Sequence, residues 1–212
     1  MLESIAGFAL VAGLVTIVPG IDTALVLRAT VARGRVAGYA AALGISLGCL
    51  VWAIAAAIGI TALLSVSELA FTVLRWAGAC YLVYLGLRLL WASRPGRVAP
   101  ASTAAPESLA DMRRGSLWAD FRVGLFANLL NPKVGVFYLA VLPQFIPSDV
   151  APLTAGIVLA LVHDLEGLVW FSALIFGTHA LRGWLRDSRV AAWIDRVTGG
   201  VLVVFGTRIA LG

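Results

Sequence analysis

Residues 43–64 read LGISLGCLVWAIAAAIGITALL. The run contains no Asp, Glu, Lys or Arg and is as long as the roughly 20 residues a helix needs to cross a bilayer. Apolar and polar residues do not alternate along it, which excludes a strand of a transmembrane barrel. Lipid offers the backbone no hydrogen-bond partner, so a run of this kind crosses a membrane as a helix.

Five similar blocks flank it. The expected membrane segments cover about 4–27, 36–62, 68–92, 120–142, 152–178 and 190–211. Of the 212 residues, 61% are hydrophobic and 13% charged, whereas a soluble domain is nearer half apolar and a quarter charged. The fold class expected is an all-α integral membrane protein with six transmembrane helices.

The formal charge of +5 does not indicate nucleic acid, because the basic residues gather in short gaps between apolar blocks. One gap carries Arg28, Arg33 and Arg35. The stretch 93–118 carries Arg94, Arg97, Arg113 and Arg114, flanked by Arg88 and Arg122, and a third gap carries Arg182, Arg186 and Arg189. The gaps 63–67 and 143–151 have no Lys or Arg. The positive-inside rule puts the three basic gaps in the cytoplasm and both termini outside. The N-terminus Met1-Leu2-Glu3 lacks the basic start of a cleaved signal peptide.

Residues 93–118, rich in Ser, Ala, Pro and Arg, read as a cytoplasmic linker. They divide the chain into three-helix halves, 1–92 and 119–212, which enter the membrane in opposite orientation within one membrane domain. The halves share a mark. Phe8 precedes Pro19 by eleven residues, and Phe121 precedes Pro132 by eleven. Each Pro lies within an apolar block, where a missing N–H breaks a helix. Paired interruptions in two inverted repeats are a sequence pointer to the binding site of a secondary transporter.

Ionisable residues inside the blocks sharpen this reading. Asp22 follows Pro19-Gly20, Lys133 follows Asn131-Pro132, and Asp164 and Glu166 lie mid-segment beside His163. A central Asp or Lys costs roughly 2.5–3.5 kcal/mol to insert, so these groups must meet one another or water inside the bundle. A buried ion pair of Lys133 with Asp164 or Glu166 would satisfy that need structurally. The functional reading is a proton or ammonium site, because a desolvated carboxyl exchanges a proton near neutral pH. Half-helix N-termini past Pro19-Gly20 and Asn131-Pro132 would offer N–H groups to a carboxylate, so the set suits a zwitterion. His163 either shuttles protons or only packs, and His179 reads as a surface residue.

The remaining features are quieter. Cys49 and Cys80 lack metal or redox spacing and read as packing residues. Gly34/Gly38 and Gly44/Gly48 form small faces that suit internal packing, with a homodimer interface as the alternative. Trp52, Trp76, Trp118, Trp184 and Trp193 read as interfacial anchors. An intramembrane enzyme is rejected: no His-x-x-x-His occurs and no Ser lies near His163. A carrier of another solute or a metal cation is the alternative transporter, and a midplane Lys argues against a purely cationic cargo. No metal and no cofactor is called for.

The chain also resembles the LysE/RhtB family of bacterial amino-acid exporters over nearly its whole length. The resemblance is carried by Pro19-Gly20-Ile21-Asp22, where the family usually has a second Pro at the position of Ile21, and by Gly34-Arg35-Val36-Ala37-Gly38 through Gly44 and Gly48. It continues in Arg75-Trp76-Ala77-Gly78 with Tyr81-Leu82 and Leu85-Gly86, and in Asn131-Pro132-Lys133 with Phe137 and Leu142-Pro143-Gln144-Phe145. It implies an inner-membrane exporter of small amino acids or close derivatives, driven by proton exchange.

Overall fold

The computed structural model describes residues 1–66, 68–93, 116–177 and 188–211. Most of the expected linker, and the gap holding Arg182, Trp184, Arg186 and His179, lie outside the described residues. The elements are α1 (Leu2–Ile17), α2 (Ile21–Arg33), α3 (Arg35–Val66), α4 (Glu68–Ala92), α5 (Leu117–Leu129), α6 (Pro132–Val141) running into a 3-10 turn (Leu142–Phe145), α7 (Pro152–Phe176) and α8 (Ser188–Leu211). No strand occurs among the described residues.

The first and fourth expected segments are each broken. Both pairs, α1–α2 and α5–α6, bend by 57° at their break. Pro19 has no N–H, so α1 ends at Ile17, and Val18, preceding a proline, turns extended at φ −62°, ψ 116°. Gly20, also extended, starts α2. Pro132 acts differently: it is the first residue of α6, where a missing N–H costs nothing, and it starts a helix rather than interrupting one. The interruption there is at Leu130 and Asn131, the latter held extended at φ −82°, ψ 107°.

Among the described residues two helices are long and apolar enough to cross a membrane, Arg35–Gly59 within α3 and Pro152–Phe176. The two bent pairs pass the same test when each is taken as one span. Among the described residues α4 and α8 fall short of it. α4 has a shorter apolar stretch, Trp76–Ala92, and α8 carries Arg189, Asp195, Arg196 and Arg208.

Helix α3 is the hub, packing on α2, α5 and α7, while α4 and α8 pair with each other and reach the rest through α6, α3 and α1. The small residues explain the closeness of these crossings. A Cβ at Gly44 would collide with the carbonyl oxygen of Phe121, and one at Gly124 with that of Ala41, so α3 and α5 touch backbone to backbone. Gly86 and Gly199 do the same for α4 and α8. The glycine face of α3 is thus spent inside the chain. Trp52 is an interior residue as well, because its ring lies 2.7 Å from where a Cβ of Gly135 would sit; Trp76, Trp118 and Trp193 are exposed, as interfacial anchors would be.

Contacts at one end tie the elements that carry basic residues. Arg33 Nη1 pairs with Asp120 Oδ2 at 2.7 Å and donates to the Ser116 carbonyl at 3.3 Å, joining the end of α2 to the start of α5. The guanidinium of Arg35 lies 4.8 Å above the ring of Phe176, and Tyr39 Oη donates to Ser172 Oγ at 2.8 Å, joining the start of α3 to the end of α7. Arg196 donates to the Ser93 carbonyl at 2.9 Å, so the start of α8 meets the end of α4.

Candidate functional site

The two breaks meet. A cavity of about 70 Å³ opens between them, with walls from the end of α1, the start of α2, and α3, α6 and α7. A space of this size holds several waters or part of a small ligand. Of the residues expected to form the site, Gly20, Asp22, Asn131, Lys133 and Asp164 line it, and His163 joins them. Pro19 and Pro132 shape the adjoining backbone without lining the space. Its apolar lining includes Ile45, Val134, Phe137 and Phe171.

Each polar group has a definite setting. Asp22 lies in the first turn of α2, where the helix dipole favours an anion. Its Oδ2 accepts from Asn128 Nδ2 at 3.2 Å, while its Oδ1 is buried without a protein partner. Asp164, on α7, lines the cavity together with Ser46 of α3. His163 has both ring nitrogens engaged, Nδ1 with Tyr138 Oη at 2.8 Å and Nε2 with Thr16 Oγ1 at 3.0 Å.

Lys133 lies near Asp22, one of the acids expected beside it, without a close ion pair. It makes no ion pair within 4 Å among the described residues; the acids close enough to act on it electrostatically are Asp22 and Asp195. Its Nζ instead donates to the carbonyl of Val15 at 3.2 Å. That carbonyl would accept from residue 19 in a continuous helix, and residue 19 is a proline. Lys133 therefore satisfies the acceptor that the break in α1 exposes.

The two half-helix N-termini also differ. At α6, Asn131 Oδ1 accepts from the Lys133 N–H at 3.1 Å, and the Asn131 carbonyl accepts from Val134 and Gly135. These N–H groups are already used and are not open to a ligand. At α2, Gly20 supplies no side-chain cap, and Gly20, Ile21, Asp22 and Thr23 all face the cavity. The N–H groups a carboxylate would meet are those of α2.

Glu166 lies elsewhere. Two positions beyond Asp164 on α7 is about 200° around the helix, so it turns from the cavity toward α1. There its Oε1 is 3.4 Å from where a Cβ of Gly13 would be, and its Oε2 is buried without a partner.

Sequence reasoning missed Asn128, Tyr138, Thr16, Ser46 and Asp195. Asn128 and Asp195 carried a usable signal, since each is a polar or charged residue within an apolar block. Cys49, read only as packing, lines the cavity and receives the Asn128 amide at 3.5 Å.

The model of the LysE type translocator family matches residues 14–212. This chain belongs to that family. The translocator is 29% identical over 210 residues to the uncharacterized membrane protein YrhP of Bacillus subtilis, covering 99% of this chain and all of that one. It is 31% identical over 200 residues to the leucine efflux protein of Klebsiella pneumoniae, covering 92% of this chain and 89% of that one. The leucine efflux protein of an Enterobacter species is 30% identical over 207 residues, with 92% and 90% covered. No solved structure matches the translocator.

Proposed function

We propose that this translocator exports amino acids with an apolar side chain across the bacterial inner membrane, in exchange for protons. The observation that carries the reading is the cavity itself. Two broken helices meet at a space lined both by Asp22 and Asp164 and by apolar side chains. The ammonium of the substrate would pair with Asp164, and its carboxylate would lie at the uncapped start of α2 with Lys133 as the nearby cation. The side chain would rest on Ile45, Val134, Phe137 and Phe171. Asp22, held by Asn128, would carry the exchanged proton. Relatives named leucine efflux proteins support the same substrate class.

Alternating access would follow from the repeats. In this reading 1–92 and 119–212 are inverted three-helix units joined by the cytoplasmic linker 93–118, six segments cross the membrane, and both termini lie outside. The equal bends of α1–α2 and α5–α6 support it.

The test is efflux from proteoliposomes loaded with leucine and a panel of other amino acids, with and without an imposed pH gradient. Gradient-stimulated export of apolar amino acids is expected. Export indifferent to the gradient would remove proton exchange, and the absence of export for every amino acid would remove the reading. Cysteine labelling in intact cells tests the orientation: a cysteine at Ser148 should react from outside and one at Ser102 should not.

A further inference from the structure

Gly167 is buried in the body of α7. Among the described residues, a Cβ built there would meet, apart from the helix backbone, only Cε2 of Phe171 within 4 Å, at an ordinary contact distance of 3.9 Å. Every other buried glycine among the described residues has an atom of a neighbouring helix within 3.0 Å of where its Cβ would sit.

That difference needs a reason. Glycine is a poor helix former, and a membrane helix usually keeps one where another helix must come close. Gly156 of the same helix is such a case, with its Cβ position 3.0 Å from the Cβ of Ala57 on α3. No helix crosses α7 that closely at Gly167. The residue lines the cavity instead, so the room its missing side chain leaves is cavity room.

Its neighbours say what that room is beside. Asp164, Gly167 and Phe171 all line the cavity. At positions i, i+3 and i+7 they lie within about 60° of one another on one face of α7. Gly167 is about 4.5 Å along the helix axis from Asp164, and Phe171 is about 6 Å further on. An amino acid whose ammonium pairs with Asp164 would lay its side chain over Gly167, toward the ring edge of Phe171.

We propose that Gly167 determines substrate specificity: the space left by its missing Cβ takes the branch of an aliphatic side chain and sets the largest side chain the cavity accepts. The proposal rests on the export reading, with Asp164 as the ammonium partner. The cavity has only about 70 Å³. A methyl group at 167 would remove room that a leucine side chain needs and an alanine side chain does not. Gly20 supplies the contrast. It also lines the cavity, and a Cβ there would meet only the Val18 carbonyl oxygen, at 3.9 Å, on an extended backbone that any residue adopts. It lies at the start of α2, where the carboxylate common to all amino acids would sit. A methyl at Gly20 therefore touches the shared part of the substrate, and a methyl at Gly167 the part that varies.

The test uses the full-length protein with Gly167→Ala and Gly20→Ala. Efflux of leucine, valine and alanine is measured in proteoliposomes, and the melting shift each amino acid produces is measured in detergent. Gly167→Ala should melt no lower than wild type, because alanine favours the helix and its Cβ has room. Its kcat/KM for leucine relative to alanine should fall at least about tenfold. Gly20→Ala should weaken leucine and alanine alike and keep their ratio. A Gly167→Ala protein that melts well below wild type, that keeps the wild-type ratio, or that shifts the ratio no more than Gly20→Ala does overturns the assignment. Failure of the export reading looks different. If no amino acid is exported, yet leucine raises the melting temperature of wild type and not of Gly167→Ala while alanine raises both, the size limit stands and the export reading fails. If wild type exports leucine and Gly167→Ala exports it equally well, the size limit fails and the export reading stands.

Discussion

Lys133 Nζ lies 3.2 Å from the carbonyl oxygen of Val15, the acceptor that Pro19 deprives of its helical donor. The two helix breaks, 113 positions apart at Pro19 and Pro132, are thus one structural unit: what the first lacks, the second supplies.

That dependence predicts a non-additive pair. Lys133→Met leaves a buried carbonyl unpaired and should destabilise by about 1–3 kcal/mol. Pro19→Ala restores an N–H to that carbonyl and allows α1 to run on into α2. In the Pro19→Ala background, Lys133→Met should therefore cost much less than it does alone, with a coupling of about 1–2 kcal/mol. Thermal unfolding of the four proteins in detergent measures it. Additive effects would show that the lysine does not serve the carbonyl. Both single variants should lose export, since the break is what opens the cavity.

Asp164 and Glu166 should separate cleanly although they are two positions apart. Asp164 lines the cavity and Glu166 faces Gly13. Asp164→Asn removes the proposed ammonium partner and should raise the substrate KM at least about tenfold. Glu166→Gln should leave KM unchanged. Initial efflux rates against internal substrate concentration decide this, and equal effects of the two would relocate the binding site.

The ion pair of Arg33 with Asp120 holds the end of α2 to the start of α5. Both side chains are largely buried, at 13% and 7% exposure, so removing one partner strands the other. Asp120→Ala should cost about 3 kcal/mol. The exchange Arg33→Asp with Asp120→Arg should recover most of that stability. Unfolding temperature checks the stability. Crosslinking of cysteines placed at these two positions tests whether export requires these ends to part: a pair locked by an oxidised disulfide should stop export, and reduction should restore it.

The breaks were legible in the sequence because a proline within an apolar block either ends one helix, as Pro19 does, or starts the next, as Pro132 does. Asp22, Lys133 and Asp164 were legible because an ionisable group in an apolar block is too costly to face lipid. What those groups contact was not. Lys133 was expected to seek an acid, and its partner is a carbonyl made available only by the fold of α1. The use of Asn131 also escaped notice: the residue that breaks the span caps the following helix and closes its N-terminus to ligands. Cys49, Tyr138 and Thr16 look like ordinary packing residues along their own helices. Cys49 meets Asn128 of α5, and Tyr138 and Thr16 meet His163 of α7, only where the helices converge, and no pattern within one segment encodes that convergence. The direction of Glu166 was readable, since helical geometry alone turns it from Asp164.

The glycines of α3 give the last prediction, because they separate packing from propensity. Gly44 and Gly59 lie in the same helix, and alanine is the better helix former at both. At Gly59 an added Cβ meets nothing within 4 Å, so Gly59→Ala should be neutral or slightly stabilising. At Gly44 the same methyl would strike the Phe121 carbonyl and come within 2.8 Å of the Leu125 amide nitrogen, both backbone atoms of α5 that cannot rotate away. The helices must separate, and Gly44→Ala should cost about 1–3 kcal/mol despite its gain in propensity. The separation also shifts α5, which carries Asn128 against Gly48, so export should fall with stability in Gly44→Ala and be retained in Gly59→Ala. Parallel melting and efflux measurements on the two variants check this. If Gly44→Ala melts like Gly59→Ala, α3 and α5 are not in backbone contact, and the position of Asn128 beside Asp22 would have to be redrawn.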